Sequence, residues 1–107
     1  MELAKLVHCL TMRFPREELF GLTSQLRRAA TSIPSNIAEG YGRLNRREFR
    51  RFLQIARGSH CELQTQLELA SALGYGDRDS LEQATALSEE VGKMLVLMLN
   101  KVRVTNG

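Results

Sequence analysis

The sequence predicts an all-α protein, an antiparallel up-down four-helix bundle that self-associates. Three observations carry that prediction. Apolar residues recur at steps of three and four in four successive stretches. Short segments containing Pro, Gly, Asn or Asp separate those stretches. No stretch shows the two-residue alternation of a half-buried strand. At 107 residues, with 43% hydrophobic and 25% charged content, the chain reads as one domain, 1–107, with a single core.

Leu3, Leu6, Val7, Leu10 and Phe14 share one face of a first helix, expected over about 2–13. Phe14-Pro15 stops it, because proline disfavours the helical region for the residue before it. Pro15 then starts a short turn that Gly21 ends. Leu22, Leu26, Ala29, Ala30, Ile33 and Ile37 form the stripe of a second helix, about 22–40, with Arg28 nearly opposite and Arg27 on the flank. Pro34 removes the hydrogen bond to the Ala30 carbonyl and predicts a kink. Gly40 and Gly42 are placed to close the helix in the left-handed conformation.

Asn45, with Glu48 three residues on, is a capping-box-like pair opening a third helix, 46–73. Its core face is Phe49, Phe52, Leu53, Ala56, His60, Leu63, Leu67 and Ala70. Asp79 and Glu82 repeat the pattern for a fourth helix, about 80–104. Its seam is Leu81, Ala84, Ser88, Val91, Leu95, Met98 and Val102.

Two features exceed what a lone bundle needs. "MLVLML" at 94–99 is apolar on every side of its helix, and Ile55, Leu69 and Leu73 form a second stripe off the core line of helix three. Left wet, these would make a contiguous apolar patch. Ile55, Leu69, Leu73, Met94, Leu97 and Leu99 are therefore assigned to an interface between copies of the chain, the alternative being a longer loop or further N-terminal residues that cover them.

No apolar run reaches the ~18 residues that span a bilayer, so no membrane contact is expected. "MELAKLVHCL" is too short and polar for a secretory signal. Two cysteines, Cys9 and Cys61, make no disulfide framework, which points to a reduced, cytoplasmic compartment.

"SIPSNIAEGYGR" (32–43) holds the densest group of unusual residues. It lacks the GxxxxGK[ST] pattern of a phosphate loop, and Gly40-Tyr41-Gly42 lacks the third glycine and preceding strand of a dinucleotide site. Asn36 and Glu39, on one turn at the edge of the apolar stripe, read as structural polar groups that bond backbone freed by Pro34 or reach a neighbouring helix. His8-Cys9 and His60-Cys61 contain zinc-binding residue types, but helix neighbours diverge by ~100° and neither pair can chelate alone. No catalytic residue, metal site or cofactor is assigned.

Charge is unevenly spread within a net +3. From Arg13 to Arg57 ten arginines face four glutamates, whereas the chain after Arg57 is net acidic. "GRLNRREFRRF" gathers Arg43, Arg46, Arg47, Arg50 and Arg51 around the start of helix three, with Arg57 two turns on. Clustered arginine at a helix N-terminus opposes the helix dipole and invites an anion. Arg28 of helix two is expected to join that surface. The bland alternatives are a solvated face, or salt bridges to acidic residues of helix four, a partner or a second subunit. No helix-turn-helix, RNP or zinc-finger pattern is present, so any nucleic acid would be held by its backbone, DNA or RNA alike.

"FPREELFGLTSQLRRAATSIPSNIAEGYGR", followed by "EFRRFLQIARGSHCELQTQL", resembles the bacterial four-helix-bundle family of 23S rRNA intervening-sequence proteins. That family includes the accessory variability proteins of diversity-generating retroelements. The resemblance covers roughly Phe14 to Leu73. It implies an antiparallel bundle assembled as a homopentameric barrel and no catalytic activity. For the retroelement members it implies association with nucleic acid and with a reverse transcriptase.

Carried over by position, Arg27 and Arg28 of "QLRR", Arg43, and Arg46, Arg47, Arg50, Arg51 and Arg57 become candidate nucleic-acid contacts. Asn36 and Glu39 become fold-defining polar residues. Two departures stand out. The family's first helix is usually longer, often with an aromatic residue where this chain has Thr11-Met12-Arg13, so either a truncated first helix or a misplaced start codon is expected. Gln64 stands where the family often has Glu.

Overall fold

The computed structural model describes residues 1–102. They form four α-helices, with no strand among the described residues. These are α1 Glu2–Thr11, α2 Leu22–Tyr41, α3 Arg46–Leu73 and α4 Arg78–Lys101, with a single 3-10 turn at Arg16–Glu18. Consecutive helices run antiparallel. The end of α1 meets the start of α2, where Arg27 Nε donates to Thr11 Oγ1 at 2.9 Å. The Ser32 and Ser59 hydroxyls, 2.7 Å apart, tie α2 to α3 near mid-length. Arg50, early in α3, bonds the Leu99 and Val102 carbonyls at the end of α4. α1 also packs on α4, so the helices enclose one core. The molecule is a rod of 52 × 22 × 19 Å, most of whose length is spanned by α3, ~42 Å at 1.5 Å per residue. No helix among the described residues is long and apolar enough to cross a membrane.

α1 stops at Thr11, before the expected residue 13. The Arg13 and Phe14 amides bond carbonyls three residues back, which tightens the chain ahead of Pro15. α2 is continuous through Pro34. Neither Gly40 nor Gly42 supplies a left-handed cap, since positive φ among the described glycines is confined to Gly74 and Gly76. Gly40 serves close packing instead. A Cβ there would lie 2.7 Å from the Phe52 Cβ, so α2 rests directly on α3.

Asn45 caps α3 as expected, its Oδ1 accepting from the Glu48 amide at 2.8 Å. Glu48 turns to Arg51 instead of reaching back to Asn45, so only half of the capping box forms. Gly74, at φ 70°, ends the helix.

Asp77, not Asp79, caps α4. Its Oδ2 accepts from the Ser80 amide at 3.1 Å and the Ser80 hydroxyl at 2.9 Å. Asp79 falls in the first turn, where a carboxylate favours the positive end of the helix dipole. The expected extension of α4 to residues 103 and 104 lies outside the described residues.

The core follows the helical stripes. Leu26, Ile33, Leu53, Leu63 and Leu95 are fully buried, each stabilising the fold by roughly 1.5–3 kcal/mol relative to exposure. Leu99 corrects the interface assignment. At 7% exposure it belongs to the core, one turn from Leu95 on the same face. Ile55, Leu69, Leu73, Met94 and Leu97 do face outward, and Val96 joins them. Ile55 and Leu69 lie about 21 Å apart along α3 at ~1.5 Å per residue.

Candidate functional site

Close packing of α2 on α3 leaves a tight turn at one end of the rod, and residues 41–47 there are the longest exposed run among the described residues. Tyr41, Arg43, Leu44, Arg46 and Arg47 are all exposed. Tyr41 is the last residue of α2, just past the Gly40 contact. Its ring meets Phe49 edge to face, with centroids 5.7 Å apart and planes at 82°. Tyr41 remains 77% exposed and Leu44 is fully so. Neither was singled out from the sequence, where Gly40 and Gly42 looked like a simple helix end. The available signal was a bulky residue at each edge of a turn too short to fold back over them.

The structure sorts the eight candidate arginines into four groups. Arg46 and Arg47, in the first turn of α3, and Arg57, about three turns beyond, are exposed and have no carboxylate within ion-pair range among the described residues. Arg43 and Arg51 pair with Glu39 and Glu48, each at 2.8 Å and each pair substantially exposed. Both guanidinium groups also lie over the Phe52 ring, 5.3 and 4.6 Å from its centroid. Arg27 and Arg50 are drawn inward, to Thr11 and to the α4 carbonyls. Arg28 is exposed but stands apart. It lies beside Ser59, Glu62 and Gln66 of α3, about 20 Å from the α2–α3 turn at ~1.5 Å per residue. The expected common surface of Arg28 with the 43–51 cluster does not form.

At the α2–α3 turn and along α3, five guanidinium groups therefore remain open to an external anion: Arg43, Arg46, Arg47, Arg51 and Arg57. Exposed ion pairs contribute only ~0–1 kcal/mol, and Arg offers phosphate a forked, bidentate contact. Exchanging Glu39 or Glu48 for a phosphate costs little. The Arg51 hydrogen bond holds the Glu48 carboxyl below its usual pKa, so the pair is intact at neutral pH.

The remaining candidates have local partners. The Asn36 amide donates to the Ser32 carbonyl and hydroxyl at 2.8 and 2.9 Å, and Ser32 in turn meets Ser59. Asn36 thus supports the α2–α3 contact through Ser32. Glu39 is the exposed mate of Arg43. His60 is buried and donates from Nε2 to the Ser88 carbonyl at 2.7 Å. Cys9 and Cys61 are free, exposed thiols. No three His, Cys, Asp or Glu side chains gather at metal-binding range among the described residues. Alongside α3, a groove of about 640 Å³ is lined by Arg57, His60 and Cys61, with Lys93, Val96 and Leu97 of α4.

Comparison with known proteins adds to this geometry. The family model described as 23S rRNA-intervening sequence protein matches residues 1–97. A crystal structure of a protein of unknown function from the S23 ribosomal protein family of Bacteroides thetaiotaomicron superposes with a TM-score of 0.73 at 25% identity. The match covers 91% of this chain and 97% of that one. No curated protein matches the chain.

Proposed function

The chain belongs to the 23S rRNA-intervening sequence protein family, and from that premise we propose that it is a non-enzymatic helical bundle that holds nucleic-acid phosphates. The contact is non-specific and made by the arginines around the α2–α3 turn. One observation carries this reading. Arg46 and Arg47 stand exposed on adjacent residues at the end of a rigid rod, without carboxylate mates among the described residues, and Arg43 and Arg51 beside them are only loosely paired. Folding does not require charge gathered in this way, since like charges in one helical turn oppose it. A polyanion would relieve that repulsion.

Copies of the chain would multiply such weak contacts through avidity. The outward-facing Met94, Val96 and Leu97 of α4 supply apolar area for a homo-oligomer, pentameric on the family resemblance. A basic ring of that kind suits an adaptor presenting DNA or RNA to a reverse transcriptase or another nucleic-acid enzyme.

Replacing Arg46, Arg47 and Arg57 together by Gln tests the site. Affinity for mixed-sequence nucleic acid, measured by gel shift, should fall alike for all sequences, with the circular-dichroism spectrum unchanged. Unchanged affinity rejects the assignment.

The same α4 surface also favours a second reading, in which the chain is a protein-only scaffold whose arginines pair with acidic residues of a partner or another subunit. That reading requires oligomers that loosen in salt and no nucleic-acid shift under any condition.

A further inference from the structure

We propose that the ligand is unpaired nucleic acid and that Tyr41 is the platform on which one of its bases stacks. This rests on the phosphate reading above and names the class of nucleic acid that the site takes. Phosphate contacts alone do not distinguish a single strand from a duplex. The residues between the arginines do.

Phe14 and Tyr75 pack against each other at one end of the rod, their rings tilted by 57°, and Phe52 is buried under two guanidinium groups at the other. Tyr41 differs. Its aromatic contact is edge to face with Phe49, and 77% of the residue remains in water. Leu44, three residues on, is fully exposed. An aromatic ring and an aliphatic side chain thus project from the same turn as Arg43, Arg46 and Arg47. Arg46 lies one helical turn before Phe49, the ring that Tyr41 touches.

A duplex turns its bases inward and presents phosphates, so it would engage the arginines and leave Tyr41 and Leu44 wet. A single strand presents phosphates and ring faces together. Aromatic groups set among cations are the arrangement that binds single strands without reading sequence, because every base has a π-face to stack. The Arg43 and Arg51 guanidinium groups over Phe52 add cations beside that platform. No helix of this bundle is needed as a groove reader under this scheme.

Phe20 provides the control. It is 93% exposed, but it lies at the opposite end of α2, two residues from Glu18.

The test is fluorescence anisotropy at one low salt concentration. The probes are a short mixed-sequence single strand and the same sequence as a duplex. Tyr41→Ala should weaken single-strand binding roughly tenfold or more and leave duplex binding unchanged. Tyr41→Phe should restore it, and Phe20→Ala should behave as wild type. A 2-aminopurine base in the single strand should be quenched by the wild-type protein and not by Tyr41→Ala. If Tyr41→Ala binds both probes as wild type does, while the triple arginine variant binds neither well, the stacking proposal is overturned and the phosphate reading stands. Failure of the wild-type protein to bind either probe overturns both.

Discussion

Arg47 and Arg50 stand one turn apart on α3 and meet different surroundings. Arg47 faces water, whereas Arg50 reaches across to the Leu99 and Val102 carbonyls at the end of α4. A cation there also complements the negative end of the helix dipole. Arg50→Gln should therefore lower the thermal midpoint by about 4–8 °C, the equivalent of ~1 kcal/mol in a domain of this size. Arg47→Gln should leave the midpoint nearly unchanged, and paired melting curves followed at 222 nm decide the point. The seven-residue spacing of Arg50 and Arg57 placed both on one side of α3, which the structure shows to be the side beside α4. Which carbonyls wait there depends on the register of two helices far apart in sequence, and no local pattern reports that. Tyr41 was hidden for a similar reason. A tyrosine between glycines shows its exposure only once the helix before it is seen to press against Phe52.

At the scale of elements, the helices and their buried stripes were largely legible, because a 3.6-residue period leaves few ways to hide Leu, Ile and Ala from water. The caps were less so. Two aspartates precede α4 at alternate positions, and Asp77 takes the role because Ser80 answers it with both an amide and a hydroxyl. Those bonds, side chain first and backbone second, hold the Asp77 carboxyl below its usual pKa of 3.8. Glu48, bonded by Arg51, is likewise below its usual 4.5. A carboxyl whose pKa is depressed by folding stabilises the native state above its unfolded value and loses that contribution as pH falls through the folded value. The thermal midpoint should therefore hold from neutral pH to about 5 and decline below about 4. Asp77→Asn, which keeps an N-cap of similar strength, should melt like wild type at neutral pH and lose less on acidification. A variant that declines as steeply as wild type would show that the α4 cap does not contribute to the acid response. Gly40 marks another limit of sequence reading. A glycine near a helix end serves equally as a left-handed cap or as a packing contact, and the distinction lies in the opposing Phe52.

For the whole molecule, the division of charge along the sequence becomes a division in space. The α2–α3 end is rich in arginine, and the acidic residues are spread along the later helices. Composition made that legible. It did not reveal that Arg27 and Arg50 are engaged internally, nor that Arg28 lies far from the rest, because both depend on what packs opposite. The apolar surface was misjudged in the same way. "MLVLML" is apolar all round, yet Leu99 turns into the core, and the outward residues of α3 and α4 sit on separate helices. At the α2–α3 turn and along α3, five accessible guanidinium groups remain for a polyanion, and the salt dependence of binding counts those it engages. Each phosphate engaged contributes about −0.7 to the slope of log affinity against log salt for a single strand. The wild-type protein, titrated with a mixed-sequence strand between ~50 and ~200 mM salt, should give a slope of about −3 to −4, or steeper where several chains bind one strand. A slope near zero, or no binding at the lowest salt, would contradict the claim that these arginines hold phosphate.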